Sequence, residues 1–262
     1  MTYNMLFSND YVILSPLNQF EVTNLIGLNI PFMNIVNFSF TNLSLYTCLV
    51  LVVIIGLHFY GLNDTFLIPN NWSITLESFY ASLSNMVREQ ISKTSEVYIP
   101  FIYSLFFFIL TANLISNVPY SFAVTASAVV SLGLSMTIFI GVTILALSIH
   151  KIKFFSFFVP GGTPIALVPL LVLIEFVSYF ARSLSLGIRL FANLFAGHVL
   201  LAILSSFLYK LFSSGILVAI LTLIPFALMI GIIGLDLAVS FIQAFVFTIL
   251  TCSYLKDAIL LH

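Results

Sequence analysis

Long apolar runs separated by short polar stretches set the pattern of this chain. Residues 43–60 are almost wholly apolar and stop at Gly61, Asn63 and Asp64, which predicts a first membrane span. Residues 74–92 follow another period. Leu76, Phe79, Tyr80, Leu83, Val87 and Ile91 recur at helical spacing, while Glu77, Ser78, Ser82, Asn85, Arg88 and Glu89 take the opposite face. That pattern predicts an amphipathic helix lying on the membrane surface or against protein. A second span covers 99–118, opened by Pro100 in its first turn and stopped before Pro119, and a third covers 123–149. From His150 to Pro164, Lys151 and Lys153 followed by Pro160-Gly-Gly-Thr-Pro164 predict a loop.

Two longer apolar stretches follow, 165–211 and 215–255. They hold about 47 and about 41 residues, where a perpendicular crossing needs about 20. Each is therefore two crossings or one strongly tilted or bent helix. In the first, Arg182-Ser-Leu-Ser-Leu-Gly-Ile-Arg189 has no Pro and a single Gly, which makes a poor turn. Taken as one helix, 165–211 leaves Arg88, Lys93, Lys151, Lys153 and Lys256 on one side and Lys210 alone on the other. Taken as two crossings, it moves Lys256 across and places Arg182 and Arg189 in a loop opposite the main cluster. The cationic bias of inner loops favours one long helix here, and an unbroken 215–255, with the N-terminus outside and the C-terminus inside. The fold class expected is an all-α polytopic membrane protein. It combines several transmembrane helices, one amphipathic surface helix and two long, strongly tilted helices in a single membrane domain over 15–262.

Composition agrees. Hydrophobic residues make up 61% of the chain and charged residues 6%, against about 25% charged in soluble domains. A net charge of −1 offers no basic surface to nucleic acid. Cys48 and Cys252 both sit in apolar runs and read as small buried hydrophobes rather than a disulfide or metal pair. No two of His58, His150, His198 and His262 have the spacing of paired haem ligands. With no Lys or Arg before Arg88, the N-terminus is neither an ordinary secretory signal nor an Arg-rich transit peptide, which suits synthesis inside an organelle.

The chemistry lies in ionisable groups placed where lipid should forbid them. Glu175, Arg182 and Arg189 are seven residues apart; at about 100° per residue they share one stripe, with about 10.5 Å between neighbours. They are too far apart to pair with each other. Partners on other helices, in water or on another subunit are required, because a charge at the bilayer centre costs about 2.5–3.5 kcal/mol even on lenient scales. Arginine cannot shed its charge. Interfacial snorkelling of one or both arginines is the bland alternative. Asn193 lies close to the same stripe, whereas His198 is nine residues beyond Arg189 and on the opposite face. A lone histidine on an apolar helix is more often a packing residue than a relay. Asp236 and Gln243 again share a face, and Asp257 beside Lys256 reads either as part of this set or as a solvated terminus. Small residues around these groups, among them Ser183, Gly187, Ala192 and Gly197, allow close helix approach. Chains of such groups mark ion or proton pathways. A secondary transporter would show internal repeats and broken helices, which are absent from the sequence. A structural subunit of a respiratory complex would leave the arginine stripe without a partner.

The stretch Ser185-Leu-Gly-Ile-Arg-Leu-Phe-Ala-Asn-Leu-Phe-Ala-Gly-His198 resembles the signature of the subunit a family of F-type ATP synthases, whose core reads S-L-G-x-R-L-x-x-N-x-x-A-G-[HE]. Pro169-Leu-Leu-Val-Leu-Ile-Glu-Phe-Val-Ser-Tyr-Phe-Ala-Arg182, Asn113-Leu-Ile-Ser-Asn-Val-Pro-Tyr120 and Ser253-Tyr-Leu-Lys-Asp-Ala258 look like its fungal mitochondrial form. The likeness runs from about Ser15 to the C-terminus. Fungal relatives carry a short leader that is removed before a Ser-Pro-Leu, here Ser15-Pro16-Leu17, so the resemblance implies that 1–14 are a removed leader.

The resemblance implies a stator in the mitochondrial inner membrane, N-terminus to the intermembrane space and C-terminus to the matrix. Its partners would be a rotating ring of c-type proteolipids, other membrane-sector and peripheral-stalk subunits, and lipid. By motif, Arg189 is the essential arginine facing the ring. His198 and Asp236 line the intermembrane-space half-channel, Asn193 and Gln243 lie near the arginine, Glu175 and Asp257 belong to the matrix half-channel, and Arg182 supports the arginine stripe. Asp236 stands where relatives often carry Glu. The role implied is non-catalytic and needs no cofactor, and no Gly-rich loop with Lys and Ser/Thr is present to bind nucleotide. If the two long helices pack antiparallel, His198 and Asp236 form a cluster able to take an inhibitory Zn²⁺.

Overall fold

The structure is a computed structural model and describes residue 15 and residues 17–28, 38–61, 69–91, 93–119, 121–158, 167–212 and 222–259. The expected leader at 1–14, the Pro160–Pro164 turn and residues 215–221 lie outside the described residues.

Six α-helices dominate: α1 Asn42–Gly61, α2 Asn71–Gln90, α3 Ile99–Ser116, α4 Ala128–His150, α5 Val168–Phe212 and α6 Leu223–Ile259. Among the described residues, five helices are long and apolar enough to cross a membrane: α1, α3, α4, α5 and α6. The chain is thus a multi-pass helical membrane protein. A small feature absent from the expectation is an antiparallel pair, β1 Asn24–Leu28 with β2 Phe38–Thr41, ahead of α1.

Helix α2 shows the period read from the sequence, burying Leu83, Ser84 and Val87 and exposing the charged face. At the centre is α3, which buries Ile102, Phe106 and Ile109 together with the polar Thr111, Asn113 and Ser116. It contacts α1, α2 and α6. By contrast, α1 is peripheral, with Val50 its one buried side chain. Cys48 there is exposed, not the buried hydrophobe expected, while Cys252 is buried. A period of 3.6 reveals a helix's faces, but α1 is apolar all round and its burial depends on neighbours.

Two further expectations need correction. The third span does not start at 123: residues 121–127 form turns and α4 begins at Ala128. Their apolarity reflects a buried turn, since Ala123 and Ala126 pack on Leu194 and Thr125 Oγ1 donates to Asn113 Oδ1 at 2.9 Å. Nor is His150 to Phe158 a plain loop. Lys151 turns the chain sharply with φ 49°, and Lys151–Phe158 then form a 3-10 helix held by buried Phe154 and Phe158. His150 Nε2 lies 3.1 Å from the Ala258 carbonyl and 3.2 Å from that of Ile259, closing orphan carbonyls at the end of α6.

Helix α5 runs unbroken for 45 residues through Arg182–Arg189. At 1.5 Å per residue it is roughly 67 Å long, over twice the hydrocarbon thickness of about 30 Å, so its apolar length requires strong tilt. It seats against α4 through small residues. Ser183 Oγ donates to the Ser135 carbonyl at 3.2 Å. A methyl group on Gly187 would collide with Ser135 Oγ and lie 3.0 Å from the Ser131 carbonyl.

Candidate functional site

Helices α5 and α6 pack antiparallel, and polar groups mark three levels of their seam. Arg182 Nη1 donates to Asp257 Oδ2 at 2.9 Å, an ion pair whose side chains are 39% and 26% exposed. Asn193 Nδ2 donates to Gln243 Oε1 at 3.0 Å. At the third level the Asp236 carboxylate lies against Gly197, where a Cβ would overlap it. As numbers rise along α5 they fall along α6, which fixes the antiparallel direction. Between these levels Leu186 and Leu190 of α5 and Ala244 and Phe247 of α6 belong to one buried apolar cluster.

The Arg182 end is held by paired groups. Tyr254 Oη donates to the Arg182 carbonyl at 3.0 Å, and its ring centroid is 6.0 Å from the guanidinium carbon. On the α4 side a void of about 10 Å³ lies between Phe139 and Val142 and Arg182, Ser183 and Tyr254, while the ion pair itself is partly open to solvent. Asp257 is thus an ion-pair partner and not a solvated terminus.

The opposite end is open. His198 and Asp236 border a cavity of about 660 Å³ whose wall also includes Gln19, Asn42, Tyr46 and Asn117. His198 Nε2 and Asp236 Oδ2 are buried and make no hydrogen bond within the described chain. A polar cavity of this size has room for bridging water. The pair supplies two of the donors that a Zn²⁺ ion needs, and among the described residues no group of three His, Cys, Asp or Glu forms a metal cage.

Arg189 sits between these ends, exposed, with no hydrogen bond or ion pair among the described residues. Glu175 is half-buried and likewise unpaired among them. The geometry therefore joins His198 with Asp236, Asn193 with Gln243 and Arg182 with Asp257, and hydrogen-bonds Glu175 and Arg189 to none of the others.

One polar network was not singled out from the sequence. Asn113 Nδ2 donates to the Ser240 carbonyl at 3.3 Å, and Asn117 Nδ2 to Ser240 Oγ at 2.9 Å. Ser240 Oγ in turn donates to the Asp236 carbonyl at 2.8 Å. Asn113 and Asn117, one helical turn apart in an apolar span, were the available signal. Satisfied buried polar groups of this kind fix one helix arrangement against its neighbours.

A polar seam between long apolar helices, paired at one end and open at the other, defines a polytopic membrane protein, and chains of polar groups in such helices mark ion or proton pathways. Comparison with known sequences narrows the class. The profile of the ATP synthase A chain family matches residues 44–256. ATP synthase subunit a of Mycosarcoma maydis is 61% identical over 252 residues, covering 96% of this chain and 99% of the relative. The protein of the same name from Emericella nidulans is 51% identical over 251 residues, covering 95% and 98%. The chain belongs to the ATP synthase A chain family.

Proposed function

We propose that this chain is the proton-conducting stator subunit of a mitochondrial F-type ATP synthase, set against a ring of c-type proteolipids whose carboxylates it loads and unloads. The observation that carries the reading is the open His198–Asp236 cavity at one end of the α5–α6 seam, with Arg189, unpaired among the described residues, farther along α5. A ring carboxylate cannot cross lipid charged, so it travels protonated and discharges at the stator. Protons from the intermembrane space enter through the cavity, where His198 and Asp236 hand them to the ring by way of Asn193 and Gln243. Arg189 favours the ionised carboxylate and sets a fixed positive charge between two offset half-channels. Glu175 and Asp257 serve the matrix-side exit, with Arg182 holding Asp257 and the register of the seam. Each proton crossing releases about 2.3 kcal/mol per 100 mV, which rotation carries to catalytic sites elsewhere. The subunit itself catalyses nothing and binds neither nucleotide nor cofactor.

The same reading puts the chain in the inner membrane with its N-terminus to the intermembrane space and its C-terminus to the matrix, beside the other membrane-sector and stalk subunits. It also makes Ser15 the mature N-terminus; N-terminal sequencing that starts at Met1 would remove that part. The test of function is ATP synthesis in vesicles carrying Arg189→Lys or Arg189→Ala. Both abolish it, because an ammonium lacks the guanidinium fork and loses its proton readily when buried. Near-normal synthesis in Arg189→Ala overturns the reading.

A further inference from the structure

The family profile begins at residue 44, yet the cavity beside His198 and Asp236 is not closed by residues 44–256 alone. Gln19 and Asn42 also line it. Residues 17–23 are tied down at this place by one side chain at the start of α1. Asn42 Nδ2 donates to the Glu21 carbonyl at 3.1 Å, and Asn42 Oδ1 accepts from the Thr23 amide at 3.3 Å. The Asn42 amide donates to the Thr23 carbonyl at 3.1 Å, so both ends of the asparagine hold the segment. Beyond this anchor, Phe20 packs into the turn before α4, against Ala123 and Ala126 and beside Leu194 of α5. Its ring lies 4.7 Å from that of Phe195 and 6.4 Å, edge-on, from the His198 imidazole.

We propose that residues 17–23 form the outer wall of the His198–Asp236 inlet, with Gln19 facing the entering water and Phe20 as a positioning residue for His198. The proposal rests on the reading of that cavity as the proton inlet. Among the described residues His198 Nε2 makes no hydrogen bond, so the ring's direction depends on what packs against its faces and edges. The Phe20 ring, near-perpendicular to the imidazole, supplies such a contact. Gln19, exposed and uncharged, borders the cavity without placing a fixed charge in the path of a proton.

The test uses the assembled synthase in vesicles with the inlet side outward. Gln19→Cys is treated with a permanently cationic, water-soluble methanethiosulfonate. Labelling is predicted to lower proton-driven ATP synthesis roughly tenfold, as a fixed cation in a narrow cleft depletes protons there, and reduction restores it. The unmutated chain, with Cys48 on the peripheral α1 and Cys252 buried, sets the background. Failure of Gln19→Cys to label, or full labelling with unchanged synthesis, overturns the proposal. Phe20→Leu keeps the apolar filling and removes the aromatic edge. It should slow synthesis on the order of tenfold, as loss of an orienting neighbour does, with normal assembly, while Phe20→Tyr restores the rate. Equal rates in Phe20→Leu and the unmutated chain overturn the positioning role. His198→Ala run alongside separates the two levels. If it leaves proton flux intact, the inlet reading itself fails; if it abolishes flux while Gln19→Cys labels without effect, only the outer wall fails.

Discussion

At one end of the α5–α6 seam Arg182 and Asp257 stand 2.9 Å apart, partly exposed, and Tyr254 bonds across the seam to the Arg182 carbonyl. At the other end His198 and Asp236 border about 660 Å³, and each leaves a buried polar atom without a hydrogen bond among the described residues. Both ends join a side chain of α5 to a carboxylate of α6, so residue type alone does not set the difference. Geometry does: an arginine reaches its carboxylate across the seam and neutralises it, whereas Gly197 lets the Asp236 carboxylate rest against α5 beside a void. The first arrangement holds a register. The second leaves two titratable groups beside open space, a costly state inside apolar helices that the proposed inlet would require.

Removing the open end's chemistry should have the largest effect. His198→Ala combined with Asp236→Ala is expected to lower proton-driven ATP synthesis on the order of a hundredfold, the scale of losing a positioned proton-transfer group. The same pair of changes should abolish inhibition by added Zn²⁺. Zinc inhibition that survives unchanged would place the metal elsewhere.

A smaller, sharper change is Gly197→Ala. The added methyl overlaps the Asp236 carboxylate and must push it away or part the helices. Synthesis should fall roughly tenfold while the amount of assembled subunit stays near normal, since a misplaced reacting group costs rate more than fold. A rate equal to the unmutated chain would show that the carboxylate has no fixed seat.

The paired end should be the least sensitive. Arg182→Ala removes an ion pair that is partly exposed, a contact contributing roughly 1 kcal/mol or less, so synthesis is expected to drop only a few-fold. Loss as complete as that of Arg189→Ala would mean that Arg182 takes part in proton exchange directly.

The sequence made the long elements and their polar stripe legible, but not the pairing of residues across helices. Seven-residue spacing puts Glu175, Arg182 and Arg189 on one face of a helix, and the missing turn signal between Arg182 and Arg189 anticipates an unbroken α5. Spacing is a property of one helix, however. That Arg182 takes Asp257, 75 positions away, depends on the register of α5 against α6, which buried leucines and small residues decide together. Residues 121–127 misled for a related reason: a turn buried against Leu194 is as apolar as the first turn of a span. Phe20 and Gln19 carried no periodic signal at all, because a short segment tied down by Asn42 has no face to repeat.

The most direct test of the account is passive proton flux through vesicles holding the assembled ring and Arg189→Ala, alone and combined with His198→Ala and Asp236→Ala. If the open end is the inlet and Arg189 divides it from the exit, Arg189→Ala leaks protons without synthesis. Adding the two inlet substitutions then stops the leak. A leak of the same size in the triple variant, or none in Arg189→Ala, would contradict it.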